Sequence, residues 1–299
     1  MHRPNPHSRP VSDASDAFDG PGARSPRRGR RLLARAAAAV GAAAVLGATA
    51  MTGSAGAVVN GNDSTQRYPF MATIPMVEAD AQCGATLIDR QWVLTAAHCV
   101  DPELPIHRTG KVRIGSEHRK SGGTVRAIDK VVIHPRYQQG GESAEPGRNG
   151  TPNQNDLALV RLDRPVAEKP IRMAKEAGPA GTPTRILGFG TVVDTSDLDK
   201  VVFPERLQQL DTRRGSAAEC FGREGDTRLC TVSPRPGAMA CVGDSGGPQI
   251  QRGRNGHWEL VGTTSGDGDW DPKCATGPGL YSKVPAFSGW IRKTIHKNG

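Results

Sequence analysis

From Val58 onward this chain never runs far without a turn former: short apolar stretches are cut repeatedly by Gly, Pro, Asn and Asp. Gly (37) and Pro (23) make up about a fifth of the 299 residues, so turns are frequent and long helices few. The stretches that read as strands are Phe70–Val77, Ala85–Ile88, Trp92–Thr95, Lys111–Ile114, Val125–Ile133, Leu157–Leu162, Arg185–Phe189, Lys200–Leu210, Pro248–Gln251, Trp258–Thr264 and Gly279–Val284. Many short strands with regular turn signals predict an all-β barrel or sandwich. Aromatic residues are only 4% of the chain, so its core draws on Val, Leu, Ile and Ala. One helix is expected at the end, where Phe287, Trp290, Ile291 and Ile295 recur at helical spacing after Pro285. Tyr137–Asn155 and Asp267–Gly277 read as polar, turn-rich loops. There is no internal repeat and no interdomain linker, so a two-barrel single unit fits residues 58–299 better than two independent domains.

Residues 1–57 have a different character. They carry eight Arg, no Lys and three Asp, and the Arg cluster ends just before an uncharged stretch from Ala36 to Ala57 that closes on Ala55-Gly56-Ala57. A basic segment, an apolar segment and a small-residue cleavage site form the layout of a signal peptide. The mild hydrophobicity after Arg30-Arg31 resembles a twin-arginine export signal and suggests a bacterial producer. An uncleaved membrane anchor is the alternative, disfavoured by the abundance of Ala and Gly over Leu and Ile. Secretion and no stable membrane association after cleavage are therefore expected. The leader holds most of the formal +9 charge, leaving the remainder with an ordinary balance and no nucleic-acid footprint.

Six cysteines, Cys83, Cys99, Cys220, Cys230, Cys241 and Cys274, follow this export signal. An even count in that setting predicts disulfides. The absence of a CxxC pair weakens the alternative, a metal site.

Three blocks carry chemistry. Gly243-Asp244-Ser245-Gly246-Gly247-Pro248 surrounds a serine with glycines that allow close backbone approach. By itself it also reads as a Gly-rich turn. Thr95-Ala96-Ala97-His98-Cys99 follows an apolar strand, and Asn155-Asp156-Leu157-Ala158-Leu159 begins another. An alcohol needs a base to take its proton, and the base needs a group to fix its tautomer. His98, Asp156 and Ser245 supply the three parts.

These blocks resemble the chymotrypsin/trypsin family, peptidase family S1, along nearly all of Val58–Gly299. The likeness extends to Cys83-Gly84-Ala85-Thr86-Leu87-Ile88, Gly188-Phe189-Gly190 and Pro278-Gly279-Leu280-Tyr281-Ser282-Lys283-Val284. It implies two six-stranded antiparallel β-barrels with a short C-terminal helix and a secreted serine endopeptidase. His98 would be general base and acid, Asp156 its orienting partner and Ser245 the nucleophile. The N–H groups of Gly243 and Ser245 would form the oxyanion hole. The implied disulfides are Cys83–Cys99, Cys220–Cys230 and Cys241–Cys274. No cofactor or metal is expected. Where some relatives bind calcium, Gly115–Thr124 offers only Glu117. Partners would be a protein or peptide substrate and a protein inhibitor, with a monomeric enzyme.

Val58-Val59-Asn60-Gly61 resembles the start of mature family members, in which a freed α-amino group pairs with the acid before the nucleophile. Here those groups are Val58 and Asp244. Signal cleavage after Ala57 would then release active enzyme directly. Specificity departs from the trypsin pattern. The pocket base is Met239, followed by Ala240; the wall reads Ser265-Gly266-Asp267, and Gly279 keeps the second wall open. An apolar base favours an apolar side chain at the cleaved position. Asp267, Asp269 and Asp271 leave a basic preference open. A protease fold kept as a non-catalytic binding protein is the alternative function, and a metal-dependent hydrolase is disfavoured by the lack of an HExxH motif.

Overall fold

The computed structural model describes residues 58–77, 80–105, 107–195 and 197–299; the signal-peptide reading of 1–57 lies outside the described residues. Fourteen strands and one α-helix organise the described part. After the short β1 (Asn62–Asp63), six strands close a first antiparallel barrel: β2 (Met71–Pro75), β3 (Gln82–Asp89), β4 (Trp92–Thr95), β5 (Lys111–Ile114), β6 (Thr124–Ile133) and β7 (Ala158–Leu162). The order around it is β2-β3-β4-β7-β6-β5. Strand β4 is buried along its whole length, which suits its Trp-Val-Leu-Thr sequence, free of charge.

After β8 (Arg172–Met173), a second ring forms from β9 (Pro183–Gly188), β10 (Gln208–Arg214), β11 (Arg228–Val232), β12 (Pro248–Arg252), β13 (Trp258–Asp267) and β14 (Gly279–Lys283). Its order is β10-β11-β14-β13-β12-β9, and pairing of β9 with β10 closes it. Strand β1 extends this sheet beside β10, and β8 joins β13 in parallel. The fold is therefore the expected pair of six-stranded antiparallel barrels. Helix α1 (Val284–Asn298) buries Val284, Phe287, Ile291 and Thr294. Its Phe287 and Trp290 rings meet His134 edge-on at 5.1 and 4.8 Å. Among the described residues, no helix is long and apolar enough to cross a membrane.

Two expectations need correcting. The strand read at Lys200–Leu210 begins only at Gln208 and continues to Arg214. Pro204 cannot donate to a ladder. Buried polar side chains further on take hydrogen bonds: Gln209 Oε1 accepts from the Tyr68 hydroxyl at 3.1 Å, and Gln208 Nε2 donates to Asp63 at 2.5 Å. Strand β11 escaped the hydropathy pattern altogether. Its Leu229, Cys230 and Thr231 are buried, and the Cys220–Cys230 disulfide covers it.

Disulfides also join Cys83 to Cys99 and Cys241 to Cys274. The loops 137–155 and 267–277 meet each other. Asn149 N donates to the Trp270 carbonyl at 3.0 Å, and the Trp270 ring lies near the guanidinium carbons of Arg223 and Arg148, 3.8 and 4.9 Å from its centroid.

Candidate active site

The two barrels meet through glycines. Gly84 N, on β3, donates to the Ser245 carbonyl at 2.7 Å. A Cβ on Gly84 would stand 2.6 Å from Gly247 Cα, and one on Gly246 would stand 2.2 Å from Thr95 Oγ1. Glycine at these positions is what lets the second barrel's nucleophile turn approach β3 and β4. Cys99 Sγ lies 3.6 Å from the Ser245 carbonyl oxygen, so the residue beside His98 touches the Ser245 turn.

His98 sits in the turn after β4, and Asp156 immediately before Leu157 and β7. Asn155 adopts φ +50°, a left-handed conformation that Asn tolerates better than most residues. Asp156 is buried and His98 partly exposed, with His98 Nδ1 2.7 Å from Asp156 Oδ2. The second carboxylate oxygen accepts the His98 backbone N–H at 3.0 Å. Ser265 donates its hydroxyl to Asp156 Oδ2 at 2.6 Å, and Asn153 Nδ2 lies 3.3 Å from the same oxygen. Burial works against the charged His98 ring, but the Asp156 charge and hydrogen bond outweigh it and hold its pKa above the ordinary histidine value. Burial likewise works against ionised Asp156, yet His98 and the donors around it keep its pKa below the usual carboxylate value. The pair is arranged to carry a cationic imidazole on a buried carboxylate.

Ser245 occupies a tight turn. Gly243 has φ +94° and Gly246 φ +79°, values that favour glycine. Asp244 folds back under the turn: its carboxylate accepts the Gly190 and Cys241 backbone N–H groups at 2.8 and 3.0 Å. Its space comes from Gly188 and Gly190, where a Cβ would collide with that carboxylate. Among the described residues no acceptor meets the N–H of Gly243 or Ser245. No cation pairs with Asp244 there either, and burial pushes its carboxyl up to about 7 against the pull of those two N–H donors.

A cavity of about 210 Å³ opens beside Ser245, with Met239, Ala240, Gly266, Asp267 and Gly279 in its walls. Met239 is 1% exposed and packs with Val58, Ile186 and Tyr281, so it seals the floor with a thioether. Ser265 corrects the sequence reading: it is not a lining residue of this cavity, and its hydroxyl is turned to Asp156. Asn149, from the long loop, joins the cavity wall instead. Neither Asn149 nor Asn153 is placed in the site by the sequence. The only signal was their place in the Asn-rich run leading to Asp156. Asp267 is the only ionisable side chain among the lining residues. Burial pushes its carboxyl up to about 7, against a backbone N–H from Asp269.

Two closed barrels with a serine turn of one against a buried His–Asp pair of the other define a chymotrypsin-fold hydrolase. The family model described as Trypsin matches residues 58–291. The chain is 30% identical to a trypsin of Sarcophaga bullata over 80% of this chain and 89% of that protein. It is also 30% identical to kallikrein-5 of Homo sapiens, over 82% and 78% respectively. Among solved structures it resembles neuropsin, a serine protease of mouse brain, with TM-score 0.62 and 27% identity over 80% of this chain and all of that one. The chain belongs to the trypsin family and is a serine-type endopeptidase. These relatives are animal proteins and lend no support to the bacterial producer suggested by the leader.

Proposed function

We propose that the enzyme is secreted and cleaves peptide bonds through an acyl-enzyme on Ser245, with a preference for a medium or large apolar side chain before the cleaved bond. The observation that carries the reading is the 2.7 Å His98–Asp156 contact, buried on the carboxylate side and adjoining the Ser245 turn. His98 Nε2 takes the Ser245 proton as Oγ bonds to the substrate carbonyl carbon. The carbonyl oxygen becomes an oxyanion, for which the unengaged N–H groups of Gly243 and Ser245 are the donors. His98 returns the proton to the leaving nitrogen as the C–N bond breaks. Water then repeats the sequence on the ester and frees Ser245. Asp156 holds the Nδ1–H tautomer and stabilises the imidazolium, aided by the Ser265 donor.

Activation is read as pairing of a free Val58 α-amino group with Asp244. A buried carboxylate without a cation favours such a partner. Val58 is fully buried, and its φ of +64° lies in a region a β-branched residue rarely adopts. Cutting the preceding peptide bond removes the restraint on that torsion. Release by signal cleavage after Ala57, and a bacterial producer, rest on the leader alone. The enzyme is taken to act as a monomer on proteins or peptides, open to a protein inhibitor, without nucleic acid or stable membrane association, and with no cofactor or metal.

The test is hydrolysis of a peptide library by enzyme beginning at Val58, beside the Ser245→Ala variant. The expected result is cleavage after apolar residues, reduced by several orders of magnitude in the variant. Dominant cleavage after Arg or Lys would reassign Asp267 as the selecting group. Undiminished cleavage by Ser245→Ala would overturn the mechanism.

A further inference from the structure

A second cavity lies away from Ser245. It measures about 510 Å³ and shares no lining residue with the cavity beside the nucleophile. Three stretches distant in sequence build it: 66–70 before β2, 169–172 at β8, and 255–259 at the β12–β13 turn. Its volume falls within the range of ordinary ligand sites.

Its lining combines two chemistries. Tyr68, Phe70 and Ile171 are buried core residues that present apolar surface to it. Trp258 adds an indole wall, with the guanidinium carbons of Arg252 and Arg185 3.7 and 5.3 Å from its ring centroid. Around that floor stand Arg67, Lys169 and Arg172, all exposed. Among the described residues none of the three makes an ion pair. His257 adds an imidazole ring to the lining. The opposing charges are few: Glu259 lies over Gly253, and Glu168, in an adjoining cavity of about 350 Å³ that also contains Arg67 and Lys169, accepts the Thr124 hydroxyl.

We propose that this groove is an exosite for an acidic peptide segment, with aromatic or large apolar side chains, of a protein substrate. Carboxylates would meet Arg67, Lys169 and Arg172, and an apolar side chain would cover Ile171 and Trp258. The apolar floor favours a peptide over a sulfated polysaccharide, which has charge for the rim but nothing to lay on the floor. Exposed cations attract anions from a distance and set orientation, while burial of the apolar anchors supplies most of the hold.

The experiment uses purified enzyme with its nucleophile blocked by a fluorophosphonate. The probe is fluorescent acetyl-Glu-Asp-Phe-Glu-Asp-Leu-amide, followed by anisotropy at 10 mM and 150 mM salt. Binding is expected at low salt and weaker at the higher salt, as the Debye length shortens from about 30 to 8 Å. The double variant Lys169→Glu/Arg172→Glu should bind at least tenfold more weakly. Replacing Phe and Leu of the probe by Ser should also weaken binding about tenfold or more. Both substituted side chains are exposed, so unblocked variant enzyme should keep its thermal stability and its hydrolysis of a short ester. No binding of the probe overturns the proposal. So does binding unchanged by the charge reversal. Indifference to the Phe and Leu replacement, with tighter binding of a heparin hexasaccharide, would make the groove a polyanion site and also overturn it.

Discussion

The His98–Asp156 pair sets the pH behaviour of catalysis. His98 must be neutral to accept the Ser245 proton, and Asp156 raises its pKa, so the acid limb of kcat/KM should lie above the ordinary histidine value of about 6.5. Asp156→Asn should lower kcat by about 10⁴, the typical magnitude for this type of triad, and rate–pH profiles of both proteins would show it. An acid limb at or below the ordinary value would contradict the raised His98 pKa. Asp267 adds a second titration, in the pocket. Its carboxyl, held up to about 7 by burial, is largely neutral below that pH and ionised above it. KM for a substrate with an apolar side chain at the cleaved position should therefore rise above about pH 7, and Asp267→Asn should abolish the rise. A KM profile unchanged by that substitution would place the carboxylate outside the occupied part of the pocket.

At the scale of elements, the turn from Cys241 to Ser245 depends on what lies under it. A folded carboxyl near 7 compares with 3.8 for the unperturbed group, so the folded state loses stability as pH rises from about 4 to 7 unless a cation compensates. Enzyme extended by one residue before Val58 lacks that α-amine. Urea titrations should show it losing up to about 3 kcal/mol between pH 5 and 7.5 relative to enzyme starting at Val58. Equal pH slopes would rule out the Asp244 pairing. The Cys83–Cys99 disulfide ties β3 to the His98 turn, and a Cys83→Ala/Cys99→Ala variant should lose about 3 kcal/mol by denaturant unfolding. These elements differ in how far sequence revealed them. Strand β4 and helix α1 announce themselves through apolar spacing, and the Ser245 turn through its glycines. Strand β10 does not, because Gln208, Gln209 and Thr212 are buried and hydrogen-bonded, a solution that hydropathy cannot register. Ser265 falls in the pocket wall by resemblance to the family's wall segment, which here reads Ser265-Gly266-Asp267. Which way its hydroxyl turns depends on Asp156, 109 residues away. Asn149 is held at the pocket by the 267–277 loop, its backbone N–H donating to the Trp270 carbonyl and its amide to the Asp271 carbonyl, contacts with no local signature.

At the largest scale, the described residues form two barrels that bring the candidate catalytic groups together only at their seam. His98 and Asp156 belong to the first ring and Ser245 to the second, so their registration depends on the Gly84–Gly247 approach. Gly84→Ala would place a methyl 2.6 Å from backbone that cannot swing aside. It should destabilise the protein by about 1–3 kcal/mol. Displacement on the order of 1 Å across the seam should lower kcat/KM by about 10² or more. Calorimetry and peptide hydrolysis on one sample would check both, and near-wild-type activity would show that the seam tolerates movement. The account as a whole rests on Ser245 being activated by that assembled seam. The most direct measurement is peptide mapping by mass spectrometry after fluorophosphonate treatment of enzyme beginning at Val58. The account predicts a single adduct on Ser245, lost in His98→Ala. No adduct, or one on another residue with Ser245 untouched, would contradict it.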